Sequence, residues 1–163
     1  MSRLDSFIRR LTAQKILLEH VTDLVKEVAG PVLELGLGNG RTYDHLRENL
    51  PGRDIYVFDR ELSCHPSCIP QGDFMIFGEI RETLEFCEPR VGEKAAFIHA
   101  DIGSGDPTTD LATQSWLSPL VDARCKPGGY VLSGLALALD NFDELEKPEG
   151  IRPGRYHLYR KKI

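Results

Sequence analysis

Residues 32–40 read Val-Leu-Glu-Leu-Gly-Leu-Gly-Asn-Gly, an apolar run broken by one carboxylate and closed by three alternating glycines. The run predicts a buried strand, and the glycines that follow restrict what it can lead into. Gly36, Gly38 and Gly40 open backbone angles that are closed to residues with a Cβ, and they let the chain pass close to a ligand. Residues 41–50 read as a helix whose first amide groups and positive dipole end would face an anionic or polar ligand. A tight turn alone could use such glycines. However, residues 55–59, Ile-Tyr-Val-Phe-Asp, form a second apolar run that ends in a carboxylate about 20 residues on, the distance at which a ribose is held in nucleotide-binding βαβ units.

Two ligand classes use this geometry, dinucleotides and S-adenosylmethionine. A dinucleotide loop usually follows Gly-x-Gly-x-x-Gly, with the last glycine allowing close helix packing; here that position is Arg41. Nor does a pyrophosphate account for Glu34, a carboxylate on an otherwise apolar strand that is costly to bury without a partner. A ligand with an ammonium and a sulfonium group could partner it, as could loop amides or water.

The run Glu-x-Gly-x-Gly-x-Gly from Glu34 to Gly40 resembles motif I of the Rossmann-like S-adenosylmethionine-dependent methyltransferases. The similarity extends over residues 31–134. Asp59 falls where that family holds both ribose hydroxyls. Gly78-Glu79-Ile80 falls where an acidic residue and an apolar neighbour flank the adenine. Asp101 matches the acidic position of motif IV, and Lys126-Pro127-Gly128-Gly129 is similar to the turn entering the family's fifth strand. The segments around Arg41–Arg47 and 153–159 resemble a small, short-chain bacterial branch of the family. The resemblance implies a cofactor site of Glu34, Gly36, Leu37, Gly38, Asn39, Gly40, Asp59, Arg60, Glu79, Ile80 and Asp101, with S-adenosyl-L-methionine as cofactor and Asp101 as the catalytic candidate.

The chain in order predicts an α/β fold: a Rossmann-like, doubly wound, mostly parallel sheet with helices on both faces. Leu4, Phe7, Ile8 and Leu11, then Leu17, Val21, Leu24, Val25 and Val28, recur at steps of three and four, which predicts a leading helix capped at Asp5 or Thr12 and stopped at Gly30-Pro31. In the family that the chain resembles such a helix packs near the cofactor mouth, which implies that Phe7 or its neighbours could reach an acceptor, but Phe7 reads more readily as a core residue. Residues 60–72 hold two prolines and are too few for a full crossover helix. Strands are expected at 74–77, 95–100 and 130–135, and helices at 79–89 and 108–122. The end reads as abbreviated, with a short acidic helix over 140–146 and one late antiparallel strand near 155–161. We expect a single domain over residues 1–163, made of a helical segment, 1–30, and a core, 31–163.

The formal net charge of −5 argues against a nucleic-acid partner and favours a small-molecule acceptor. The basic residues Arg152, Arg155, Arg160, Lys161 and Lys162 read as a solvated edge strand. No apolar stretch reaches the roughly 20 residues that span a bilayer, and charged residues interrupt the N-terminus where a secretory segment would be apolar. We therefore expect a cytoplasmic protein with no membrane partner. A homodimer or higher homo-oligomer would cover the shortened sheet. Cys64-His65-Pro66-Ser67-Cys68 is the one cluster with metal-ligand chemistry, but no second cluster completes a four-ligand site, so no metal is expected.

Methyl transfer from a sulfonium needs alignment first and a base only where the acceptor must lose a proton. His99 and Asp101 lie at the end of the fourth predicted strand, where open α/β sheets place ligands. His99 reads more readily as a packed, hydrogen-bonded residue, and Asp101 as a pocket or positioning group with a weaker claim to proton abstraction. Two further readings stay open: a non-catalytic protein that binds S-adenosylmethionine or S-adenosylhomocysteine, and an NAD-dependent oxidoreductase.

Overall fold

The computed structural model describes residues 2–163. In it the apolar runs become five parallel strands: β1 (Val32–Leu35), β2 (Ile55–Asp59), β3 (Met75–Phe77), β4 (Ala95–Ala100) and β5 (Cys125–Ser133). Two more, β6 (Phe142–Glu144) and β7 (His157–Lys161), run antiparallel to their neighbours and complete the order β3-β2-β1-β4-β5-β7-β6. Every residue of β1 and of β4 is buried, as expected of central strands covered on both faces.

Alternate strand residues feed two separate cores. On one face Val32, Ile55, Val57, Phe97 and Leu132 pack against α1 (Arg3–Val25) and α2 (Arg41–Asn49), through Leu17, Val21, Tyr43 and Leu46. On the other, Leu33, Leu35, Phe58, Ile98 and Val131 meet α3 (Ile80–Glu85), α4 (Glu88–Val91) and α5 (Pro107–Arg124), through Leu84, Leu117 and Val121. Glu34 and His99 belong by alternation to the α1/α2 face, and they are directly opposite one another in the β1–β4 register.

Several boundaries differ from the sequence expectation for identifiable reasons. Helix α1 is capped by Ser2, not by Asp5 or Thr12; Asp5 is the returning member of a capping box, accepting from the Ser2 backbone while its own N–H bonds Ser2 Oγ. The expected helix over 79–89 is broken into α3 and α4, with Cys87 between them and Pro89 in the first turn of the second. Residues 60–72 lack a full helix, as anticipated, and 3₁₀ turns at Pro66–Cys68 and Gly72–Phe74 stand in its place. The Lys126-Pro127-Gly128-Gly129 turn lies inside β5, where pairing with β4 slips between Ala95 and Phe97.

The C-terminal end is the main correction. In place of the acidic helix expected over 140–146 stands strand β6, paired antiparallel with β7, which is the late antiparallel strand expected near 155–161. The acidic residues that suggested a helix are cross-strand partners of the basic strand: Asp143 is opposite Arg160, and Glu144 accepts from His157 Nδ1 at 2.8 Å. Phe142 turns into the core. Consequently β7 is an interior strand, not the charged edge, and β6 forms the edge with its exposed carboxylates. Lys161 points back to bond Asp122 Oδ1 at 2.6 Å and the Cys125 carbonyl at 3.2 Å.

Among the described residues no helix is long and apolar enough to cross a membrane, and no group of three or more His, Cys, Asp or Glu side chains could hold a metal ion.

Candidate active site

A cavity of about 770 Å³ opens at the C-terminal ends of β1, β2 and β4, extending from the segment after β3 to helix α5. Its size falls in the range of small-molecule and cofactor sites. The glycine loop forms one wall. Gly36 and Gly38 have φ of +90° and +51°, and a Cβ on Gly38 would meet no atom within 4 Å because it would project into open space. Gly40 has a different task. It caps α2 at φ +85°, lies outside the cavity lining, and a Cβ there would come within 2.5 Å of Cys68 Cβ and 3.0 Å of Cys64 Cβ. The Cys64–Cys68 loop therefore packs directly on the turn that starts α2.

Asp59 ties the end of β2 to this loop. Its Oδ2 accepts from the amides of Leu37 at 2.8 Å and Gly38 at 3.1 Å, and its Oδ1 from the amide of Arg60 at 2.7 Å. Beside it the Arg60 guanidinium reaches Glu79 Oε1 at 3.5 Å, with both side chains largely exposed. Glu79 and Ile80, at the start of α3, line the same end of the cavity. Asn39 lines the loop side, and with its amide turned its oxygen accepts from both Arg41 Nη1 and Nη2.

The opposite end is buried and knitted together. Glu34 and His99 are each 1% exposed. Glu34 Oε2 bonds His99 Nδ1 at 2.7 Å, and Glu34 Oε1 accepts from the Thr42 hydroxyl of α2. Burial opposes a charged His99, but the Glu34 carboxylate, its hydrogen bond and the Asp101 carboxylate outweigh this and raise the pKa above 6.5. Asp101 accepts from Gln14 Nε2 of α1 at 2.7 Å, and the Tyr156 phenol stands close enough to the same carboxylate to feel its charge. Burial and that carboxylate push the Tyr156 pKa up to about 12. Tyr156 also has a φ of +57°, unlike any other described non-glycine residue, so the chain is strained where the β6–β7 connection presents its ring. Gly134 makes room for the arrangement, since a Cβ there would fall 2.6 Å from Asp101 Oδ1.

Of the residues singled out in the sequence, Glu34, Gly36, Leu37, Gly38, Asn39, Asp59, Arg60, Glu79, Ile80 and Asp101 all line this one cavity; Gly40 supports it from behind. Sequence reasoning did not place Arg10, Gln14 and Thr42 here, nor Ile102, Thr109, Thr113 and Trp116 beyond Asp101. Arg10 and Gln14 stand four apart on α1, one helical turn, a spacing that could have marked them.

The residues fit an adenosyl amino acid. Open backbone at Gly38 leaves room for the ligand, carboxylates stand at β2 and α3, and one buried polar atom of a cavity-lining residue, His99 Nε2, has no partner among the described residues. Fold and site together define a Rossmann-like nucleotide-cofactor enzyme of the methyltransferase kind. The sequence profile of the S-adenosyl-L-methionine methyltransferase family matches residues 1–161, and the chain belongs to that family, with S-adenosyl-L-methionine as its cofactor. It is 41% identical to an S-adenosyl-L-methionine methyl transferase from Silicibacter pomeroyi DSS-3 known by crystal structure, with a TM-score of 0.90 over 99% of each chain. More distant structures share the fold. TrmN from Thermus thermophilus is 16% identical, with a TM-score of 0.64 over 95% of this chain and 52% of that one. Human N-acetylserotonin methyltransferase in complex with SAM is 18% identical, with a TM-score of 0.59 over 94% and 52%. No curated protein matches the chain.

Proposed function

We propose that the protein transfers the sulfonium methyl group of S-adenosylmethionine to a small-molecule acceptor bound in this cavity. The observation that carries the reading is the convergence of the glycine loop, Asp59, Glu79 and Asp101 on a single opening at the C-terminal ends of the parallel strands. In this reading Gly36, Leu37, Gly38 and Asn39 pass the cofactor along their backbone, supported from behind by Gly40. Asp59 and Arg60 stand at the ribose, and Glu79 and Ile80 flank the adenine. Glu34 and Asp101 serve the amino-acid end. When bound, the cofactor supplies an activated methyl group, so the chain's own task is to align an acceptor and keep water out. The overall charge of −5 favours a small acceptor over a polyanion.

Asp101 enters as the residue nearest the reacting end. Held by Gln14, it is suited to orienting an acceptor hydroxyl or amine, and a proton taken from that group would go to its carboxylate.

The test is turnover. Purified protein incubated with methyl-labelled S-adenosylmethionine and a panel of small oxygen, nitrogen and sulfur nucleophiles is expected to release S-adenosylhomocysteine together with a labelled small product. Tight binding of S-adenosylhomocysteine with no labelled product from any nucleophile class would shift the reading to a sensor of the cofactor.

A further inference from the structure

Glu34 is the carboxylate that motif I brings to the cavity, yet both of its oxygens are already engaged inside the protein, one by Thr42 and one by His99. Among the described residues two buried side-chain atoms lack any hydrogen-bond partner, His45 Nε2 and His99 Nε2, and of these residues only His99 lines the cavity. An orphaned buried polar atom is uncommon and costly unless something else completes it. The ring has little freedom to turn away. Its Nδ1 is fixed at 2.7 Å from Glu34 Oε2, and its neighbours on the sheet, Glu34 and Leu132, are buried.

The strand order says which part of the cofactor would meet this atom. Asp59 closes β2, Glu79 and Ile80 follow β3, and the sheet continues β3-β2-β1-β4. A cofactor with its adenine and ribose at the β3–β2 end extends its amino-acid end over β1 to β4, where His99 and Asp101 stand. Resting on the cofactor site proposed above, we propose that His99 is a cofactor-binding residue whose Nε2 holds the α-carboxylate of S-adenosylmethionine, and that Glu34 is a positioning residue acting through it. The carboxylate is the partner of choice because Nδ1 already donates to Glu34, and an imidazolium favoured by the Glu34 and Asp101 carboxylates keeps an N–H on Nε2 as well. Arg10 and Arg41 line the same cavity and add positive potential.

Two nucleosides separate this role from a structural one. S-adenosylhomocysteine carries the amino-acid end, whereas 5′-methylthioadenosine keeps the adenosyl thioether and lacks it. Calorimetric titration of both into the unaltered protein, His99→Asn and His99→Gln is the experiment. Asparagine retains an amide near the Nδ1 position to bond Glu34 but has nothing at Nε2; glutamine reaches the Nε2 position. His99→Asn is expected to lose about tenfold or more in affinity for S-adenosylhomocysteine, as for a charge-assisted hydrogen bond, with 5′-methylthioadenosine unchanged within about twofold. His99→Gln should recover part of the loss. Equal loss for both nucleosides, or none for S-adenosylhomocysteine, overturns the proposal. Failure of the unaltered protein to bind either one would overturn the cofactor site itself, a separate result. Should the variants not fold, ¹⁵N-histidine spectra of the unaltered protein decide: the His99 Nε2 resonance is expected to move on adding S-adenosylhomocysteine and stay in place with 5′-methylthioadenosine, and a shift common to both would sink the assignment.

Discussion

The two ends of the cavity are built on different physical terms. At the β2–β3 end, Asp59, Arg60 and Glu79 sit close to solvent, and Asp59 is held by loop amides 21 or 22 positions away in the chain. At the β1–β4 end, Glu34 is joined to His99 across 65 positions and Asp101 to Gln14 across 87, and the groups that meet there come from α1, α2, two strands and the β6–β7 connection. Polar groups near water cost little and can be altered singly. Polar groups in a dry network must all be satisfied together, and each removal leaves a buried partner unpaired. The first end is therefore open to tuning for a ligand, whereas the second is part of the fold.

The largest effect that can break this contrast is Glu34→Leu. Removing one partner of a buried pair costs about 3–5 kcal/mol, because the other is left without compensation. Thermal or denaturant unfolding should show a loss of this size, and a loss below about 1 kcal/mol would place Glu34 with the surface residues. The same pair sets a pH dependence. His99 has a folded-state pKa raised above 6.5, so its stabilisation is complete below about pH 6.5 and disappears as pH rises through the raised value. Unfolding free energy measured from pH 6 upward should fall over that window in the unaltered protein, and this component should be missing from Glu34→Leu.

The same contrast explains what could be read from the sequence. The β2–β3 end was legible because each of its parts is local: a glycine loop, a strand ending in Asp59, and Glu79-Ile80 after a third apolar run. The sheet's parallel strands were legible for a similar reason, as continuous apolar segments between helical ones. The other end was not. Glu34 was visible as an anomaly on an apolar strand, but its partner depends on β1 and β4 being adjacent in register, which no local pattern encodes. Gln14 and Tyr156 reach Asp101 only after α1 and the C-terminal pair are docked. Residues 140–146 misled because acidic residues favour a solvated helix when read alone, and they pair with β7 when Arg160 and His157 are brought opposite.

Two glycines sharpen the comparison within a single loop. Gly38→Val is expected to weaken S-adenosylhomocysteine binding by at least about a hundredfold while the protein stays folded, since its side chain would enter open cavity and the positive φ costs on the order of 1–3 kcal/mol. Gly40→Val should do the reverse and lower the melting temperature more, because its Cβ would collide with the Cys68 backbone-proximal carbon. Comparable melting temperatures for the two would contradict the separation of a ligand face from a packing face.

Asp59→Ala comes next, with a loss of about 1.5–3 kcal/mol in binding free energy if charged hydrogen bonds to the ribose are removed. Because the ribose is common to both ligands, S-adenosylhomocysteine and 5′-methylthioadenosine should lose affinity together, in contrast to His99→Asn. A loss confined to S-adenosylhomocysteine would reverse the orientation of the cofactor in the cavity.

The smallest expected effect is Glu79→Ala. Its ion pair with Arg60 spans 3.5 Å between side chains that are 73% and 62% exposed, where solvent screens the attraction and ordering two flexible chains offsets it. Unfolding free energy should change by less than about 1 kcal/mol, and adding salt should make little difference between variant and unaltered protein. Any measurable change should appear instead in nucleoside affinity, since Glu79 lines the cavity beside Asp59 and Arg60. A stability loss comparable to that of Glu34→Leu would erase the difference between the two ends and make the whole cavity one cooperative unit.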